Sequence, residues 1–316
     1  MEGFQLIATG AYLPAKVVTN DDLSKIVETS DEWISTRTGI RQRRFCAEGE
    51  DSGTMAIGAA RQALENSGLD PKEIGCCLCA TISGRYLSPS NACLIQQELG
   101  LAQDIPVLDI NAACSGFVYG AAVARGLLAA RADRSRPYAL VIGCEHLSRL
   151  MDMTDRSTCV LFGDGAGAAV FALAPDAAFA VDLGARGDLA IETPAGGPIR
   201  MDGRAVFRFA VDALPRTLHA VLDAAGCTLD EVDWVVCHQA NSRIIDHCVK
   251  KLGADPAKFY KNMDRHGNTS AASIPVALNE LAETGRLQPG MRVACIGFGG
   301  GLTWGGMLIT VKGSAV

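Results

Sequence analysis

Two stretches of this chain repeat one another half a chain apart, and that repeat restricts the fold more than any other feature. ALENSGLDPKEIGCCLCA, starting at Ala63, and VLDAAGCTLDEVDWVVCH, starting at Val221, both read as helix, glycine terminator, acidic turn and apolar strand. Gly68 aligns with Gly226, Glu73 with Glu231, Ile74 with Val232 and Cys79 with Cys237, an offset of 158 in a chain of 316 residues. A second echo joins Ala139-Leu140-Val141-Ile142-Gly143 to Val293-Ala294-Cys295-Ile296-Gly297. One helix–strand match is compatible with generic α/β composition. Two, in the same order and at nearly the same offset, predict a duplicated α/β domain. The halves are expected at 1–174 and 175–316, meeting near Ala174-Pro175-Asp176. Because strand ends in α/β sheets carry the functional residues, the chemistry is expected where the halves face each other.

In the first half, VLDINAACSGFVY from Val107 to Tyr119 is the stretch the rest would serve. Pro106 to Ile110 reads as a short buried strand, Asn111-Ala112-Ala113 as a tight passage, and Cys114 onward as a helix to about Ala130. Unpaired amides and the helix dipole favour a thiolate there, lowering a pKa that is roughly 8.5 for a free cysteine. Small neighbours (Ala112, Ala113, Ser115, Gly116) leave room for a thioester. A buried cysteine in an alanine-rich core is the competing reading.

Cysteine is abundant, with twelve in all, several inside apolar runs such as IGCCLCATI and WVVCH. Cys76 and Cys79 make a C-x-x-C, but no second pair has zinc spacing, so reduced packing cysteines are expected. Net charge is −6, which argues against nucleic acid and requires a local basic patch for any acidic partner. The opening MEGFQLIATGAYLP does not read as a signal peptide, and no run of about 18 uninterrupted apolar residues suggests a membrane span. The chain reads as cytoplasmic.

In the second half, the strand Trp234 to Cys237 ends at His238, followed by Gln239, Ala240 and Asn241. Asn268 lies in a polar turn before a helix at Ile274 to Leu281, and Gly297 to Gly301 offers unobstructed amides after a strand. For each a bland role remains open: a strand-end His bonded to backbone, a turn Asn, a tight glycine turn. Phe162-Gly163-Asp164-Gly165-Ala166-Gly167 lacks the Lys-Ser/Thr of a Walker loop, so nucleotide binding there is rejected.

NAACSGF at 111, HQAN at 238 with Arg243 after it, HGNTSAASIP at 266 and GFGGGLTWG at 297 together resemble the β-ketoacyl-acyl-carrier-protein synthase III family of the thiolase superfamily. The resemblance runs from DEWI at 31 to the last strand. It implies a five-layered αβαβα sandwich of two similar halves, normally a homodimer. It implies that Cys114 attacks an acyl-CoA thioester, with its own amide and that of Gly300 stabilising the oxyanion. His238 and Asn268 would hydrogen-bond the thioester carbonyl of malonyl-acyl-carrier protein as CO2 leaves. The resulting enolate would attack acyl-Cys114, giving 3-ketoacyl-acyl-carrier protein and starting type II fatty-acid synthesis. No metal and no resident cofactor is implied, since acyl-CoA is a substrate.

By the same resemblance Trp33 and Arg156 would sandwich the CoA adenine, with Arg37 near its phosphates. Leu87, Ser88, Phe207 and Phe298 would shape the acyl pocket, and Arg208, Arg243, Lys250 and Lys251 would receive the acidic carrier protein. The segment after Asp182 is compact, Arg204 stands where an Asn is common, and Leu87-Ser88 replaces a Phe frequent in acetyl-preferring members. A degradative thiolase would want a second cysteine in the C-terminal glycine loop, and an elongating synthase a His at 268. Two alternatives stay open: a secondary-metabolism condensing enzyme or acyltransferase of the same superfamily, and a non-catalytic thiol switch or acyl-binding protein.

Overall fold

The computed structural model describes residues 3–175 and 177–312, so Asp176 of the expected boundary lies outside the described residues. The first part of the chain runs β1 (Gly3–Tyr12), α1 (Asp31–Thr38), α2 (Ser52–Ser67), β2 (Ile74–Ala80), α3 (Asn91–Leu99), β3 (Val107–Ile110), α4 (Gly116–Ala130), β4 (Tyr138–Glu145) and β5 (Gly165–Ala174). The second runs β6 (Ala180–Asp188), α5 (Gly203–Ala225), β7 (Trp234–Cys237), α6 (Ser242–Leu252), α7 (Ser273–Glu283), β8 (Arg292–Gly299) and β9 (Gly301–Val311).

Strand pairing repeats with the same sense in both parts. β2 is parallel to β4 and to β3, while β5 is antiparallel to β4 and to β1. Likewise β7 is parallel to β8, β9 is antiparallel to β8 and to β6, and a parallel bridge from Val235 to Phe259 stands where β3 stands in the first part. The two sets join edge to edge through a short parallel pairing of β1 with β9.

The sequence repeat has a local physical cause. Gly68 and Gly226 both end their helices in the left-handed region, at φ 67° and 63°, where a side chain would be strained. Glu73 and Glu231 then close matching capping boxes on Asp70 and Thr228, which aim β2 and β7 into the core. β2 is buried along its whole length, consistent with a continuous apolar run covered on both faces.

Three apolar clusters mark the layers. α2 and α3 seal the outer face of the first set of strands, and α5 and α6 that of the second. Between the sheets lie α4 and α7, which pack on strands of both. The result is the expected order α, β, α, β, α. Residues 113–130 are long and apolar enough to cross a membrane by length and composition alone. Here that segment contains the central helix α4, and Phe117, Val118, Ala121, Ala124 and Leu128 are all buried.

Candidate active site

Cys114 does not sit on the first turn of the α-helix, as expected, but in a 3-10 turn, Ala113–Ser115, just before α4. Ala113 adopts φ 46°, a strained conformation for a residue with a Cβ, and the Asn111 side chain steadies it by accepting from its amide at 3.2 Å. The expected drop in thiol pKa is not found. Burial pushes the thiol up to about 11, against hydrogen bonds from Ser270 and from the amides of Cys114 and Gly300, while the Glu145 charge pushes the same way as burial. Loss of solvation outweighs the few peptide dipoles of a single turn.

The β8–β9 hairpin reaches this thiol because it is glycine. A Cβ at Gly299 would lie 2.7 Å from Cys114 Cβ and 2.9 Å from its Sγ, and one at Gly297 would lie 2.9 Å from Ser115 Cα. The amides of Cys114 and Gly300 thus converge on the sulfur.

His238 leaves the end of β7 fully into the interior, and burial brings its pKa down to about 3, so the ring is neutral at pH 7. Its Nδ1 lies 2.7 Å from Ser273 Oγ, and Phe298 meets the ring edge-on at 5.2 Å. If the Ser273 hydroxyl donates to Nδ1, the ring proton is on Nε2. Asn268 is held by its backbone: its N–H donates to Leu161 O and its carbonyl accepts from Gly163 N–H. Its Oδ1 accepts from Ser270 N–H at 2.9 Å, which leaves the carboxamide nitrogen as the donor end. The Phe162–Gly167 run, dismissed as a phosphate loop, therefore anchors Asn268. A Cβ at Gly163 would collide with His266 O at 2.5 Å.

Cys114, His238, Asn268, Phe207, Phe298 and Gly300 all line one cavity with an empty volume of about 1010 Å³ including its open mouth. Leu87 and Ser88 do not: both are exposed, Leu87 completely so, on a loop away from this chain's own cavity. Arg37 and Arg156 both lie over the Trp33 ring, 4.6 and 4.9 Å from its centroid, outside the residues that line the cavity. Arg208, Arg243, Lys250 and Lys251 are all exposed. Arg243 and Lys250 share a surface hollow with Phe207, whereas Lys251 turns to Asp212 at 3.6 Å, so the basic face is narrower than the spacing implied. Arg204 is exposed at the start of α5.

Sequence reasoning missed four polar residues here: Ser273, which lies against the His238 ring; Gln239, whose carboxamide nitrogen donates to the Cys237 and Tyr260 carbonyls; and Ser270 and Glu145, which lie behind Cys114. Ser270 could have been found, since Asn268-Thr269-Ser270 echoes Asn111-Ala112-Ala113.

Residues 108–187 match the family described as 3-oxoacyl-[acyl-carrier-protein] synthase III, and residues 222–311 match its C-terminal counterpart. A β-ketoacyl-[acyl-carrier-protein] synthase III of Rhodospirillum rubrum is 46% identical over 95% of this chain and 97% of that protein. One of Clostridium botulinum is 41% identical over 98% and 99%. The crystal structure of 3-oxoacyl-[acyl-carrier-protein] synthase III from Aquifex aeolicus superposes with a TM-score of 0.92 at 44% identity, covering 98% of this chain and all of that one.

Proposed function

The chain belongs to the β-ketoacyl-acyl-carrier-protein synthase III family, and on that premise we propose how its own residues divide the work. The enzyme is an acyltransferase that condenses an acyl-CoA primer with malonyl-acyl-carrier protein, with loss of CO2, to start type II fatty-acid synthesis. The observation that carries the residue assignment is one cavity wall that joins a thiol, glycine amides, a neutral imidazole and a carboxamide.

Cys114 attacks the acyl-CoA carbonyl, and the tetrahedral oxyanion is held by the amides of Cys114 and Gly300. Once CoA has left, the malonyl thioester carbonyl accepts from His238 Nε2–H and the Asn268 carboxamide. Neutral donors suit this step, because an imidazolium would hand its proton to the enolate and quench it. The enolate carbon then attacks acyl-Cys114. The departing carboxylate supplies the carbanion, so the reaction runs without a metal or resident cofactor.

Trp33, Arg37 and Arg156 receive the adenine and phosphates of CoA, with Arg156 rotating off the ring to admit the base. Phe207 and Phe298 bound the acyl chain, and the exposed Leu87 and Ser88 complete the pocket of a second copy, which makes the working unit a homodimer in the cytoplasm. The halves 1–174 and 175–316 are the two duplicated units. Arg208, Arg243 and Lys250, with Lys251 at the edge, dock the acidic carrier protein. Intact-mass analysis after incubation with a panel of acyl-CoAs tests the first half-reaction: one acyl adduct per chain on Cys114 is expected, and an adduct on another cysteine would overturn the assignment.

A further inference from the structure

Glu145, the last residue of β4, is a carboxyl group with no solvent exposure, yet among the described residues no Lys or Arg pairs with it. Its contacts are hydroxyls and one amide. Thr81 Oγ1 (3.3 Å), Ser83 Oγ (2.5 Å), Ile82 N (3.2 Å) and Ser270 Oγ (3.2 Å) all donate to it. Burying a carboxylate this way is costly, and an apolar side chain at a buried strand end would avoid that cost. Ser270 is itself an outlier, at φ 48°; its hydroxyl donates to Glu145 Oε1, and its oxygen lies beside the Cys114 thiol. Ser270 Oγ thus stands between the Cys114 thiol and Glu145 Oε1.

The cavity offers no better acceptor for the thiol proton. His238 is neutral, its Nδ1 lies against Ser273 Oγ, and burial leaves it a very weak base. The thiol, pushed up to about 11, ionises little by itself at pH 7.

We infer that Glu145 is the acceptor of the Cys114 proton, acting through the hydroxyl of Ser270 as a positioning residue for the first half-reaction. This rests on Cys114 being the nucleophile. As Sγ bonds to the thioester carbon, its proton passes to Ser270 Oγ while the Ser270 hydroxyl proton passes to Glu145 Oε1. Negative charge moves from the carboxylate to the acyl oxygen, and Ser270 ends as it began. When the oxyanion collapses, the departing CoA thiolate takes a proton back through Ser270 and Glu145 is again a carboxylate. The transfer accompanies bond formation, so thiol and carboxyl need not have equal proton affinity.

Burial raises the Glu145 pKa to about 7, against the hydrogen bonds it accepts. The other titratable groups facing it are Cys114, Cys144 on its own strand and Cys79 on β2, all thiols pushed up by burial and neutral in that range. The ring of neighbouring His146 reaches toward Asp164 instead, 4.0 Å away. Titration near neutral pH along this path therefore belongs to Glu145.

Iodoacetamide alkylation of Cys114, followed across pH by peptide mass spectrometry on the full-length protein, separates two opposite expectations. A relay makes the rate rise with a midpoint near 7 as Glu145 ionises, and Glu145→Gln removes that step and slows alkylation at least tenfold at pH 7.5. A carboxylate acting only by its charge disfavours the thiolate, so the same variant would alkylate as fast as wild type or faster, which would overturn the inference. Ser270→Ala, tolerable because Ala113 adopts the same backbone, keeps Glu145 and should slow alkylation equally, and the double variant should be no slower than either single one. Should Glu145→Gln fail to fold, undiminished alkylation in Ser270→Ala overturns the relay alone. Glu145→Asp should recover part of the rate. An acyl adduct forming on Cys114→Ala protein would instead overturn the nucleophile and the relay with it.

Discussion

The chain builds the same turn twice and uses it for two different ends. In Asn111-Ala112-Ala113-Cys114-Ser115-Gly116 the Asn accepts from the amide two residues on, that residue is left-handed at φ 46°, and a 3-10 turn leads into α4. In Asn268-Thr269-Ser270-Ala271-Ala272-Ser273 the same bond forms at 2.9 Å, the third residue stands at φ 48°, and a 3-10 turn leads into α7. The turns face each other: a Cβ on Gly116 would lie 3.4 Å from Ala271 Cβ, and one on Gly143 would lie 2.1 Å from Ala271 O. Where the first turn presents a thiol, the second presents a methyl. Where the first spends its Asn on an exposed surface, the second buries it in the cavity. The two matching turns thus present different side chains to one cavity, Cys114 from the first and Asn268 from the second.

The strongest way to break this comparison is to move the thiol. Cys114→Ala should leave no acyl adduct by intact mass and no measurable condensation. Adding Ala271→Cys restores a thiol on the equivalent turn but without the Gly299–Gly300 hairpin beside it, so the double variant should stay adduct-free. Adduct formation at 271 would mean that the turn, not the hairpin, makes the nucleophile.

Next in size is the separation of the half-reactions. His238→Ala and Asn268→Ala should each lower malonyl decarboxylation by about 10²–10³, the usual cost of one such donor, and leave Cys114 acylation within a few-fold. Release of CO2 at the wild-type rate in both variants would remove the second turn and β7 from the chemistry.

How much of this could be read beforehand follows from what is local. The paired glycine stops and capping boxes are sequence-local, and so the repeat, the C-terminal ends of α2 and α5 and the strands β2 and β7 that follow them were legible from Gly68, Glu73, Gly226 and Glu231. Cys114, His238 and Asn268 were legible as motif members. The Cys114 environment was not, because the elements packed on its turn are β8, β9 and the 270–272 turn, all far away in sequence. Glu145 was invisible for the same reason: at the end of ALVIGCE it reads as an ordinary strand terminus, and only the fold brings Ser270, 125 residues on, against it.

A smaller effect tests the equivalent helices α3 and α6. α3 exposes Gln97 and Glu98, whereas α6 exposes Arg243, Lys250 and Lys251 beside Asp246, so of these two helices α6 is the one with exposed basic residues. Reversing Arg243 and Lys250 together to Glu should raise KM for malonyl-carrier protein about tenfold, roughly 1.4 kcal/mol, and leave acyl-CoA loading of Cys114 unchanged. The wild-type dependence should weaken with salt, since exposed charges are screened over about 8 Å at physiological ionic strength. Equal loss in both half-reactions would point to a folding defect and remove the docking role.

The smallest effect is expected one step further into the second turn. Where α4 begins with Gly116, close-packed on Ala80 and Ala271, α7 begins with Ser273, whose hydroxyl serves His238. If that hydroxyl holds the ring proton on Nε2, Ser273→Ala frees the tautomer and loses one hydrogen bond worth about 1 kcal/mol, or about fivefold in decarboxylation. The ring keeps its edge contact with Phe298, so its position should survive. The loss should fall on kcat rather than KM, because the bond matters when charge develops on the thioester oxygen. Burial, not Ser273, holds the His238 pKa down to about 3, so the pH profile of this half-reaction between about 5 and 8 should not acquire a new acid limb. A fall near that of His238→Ala would make Ser273 a proton carrier in its own right. No change at all would mean that packing alone fixes the tautomer.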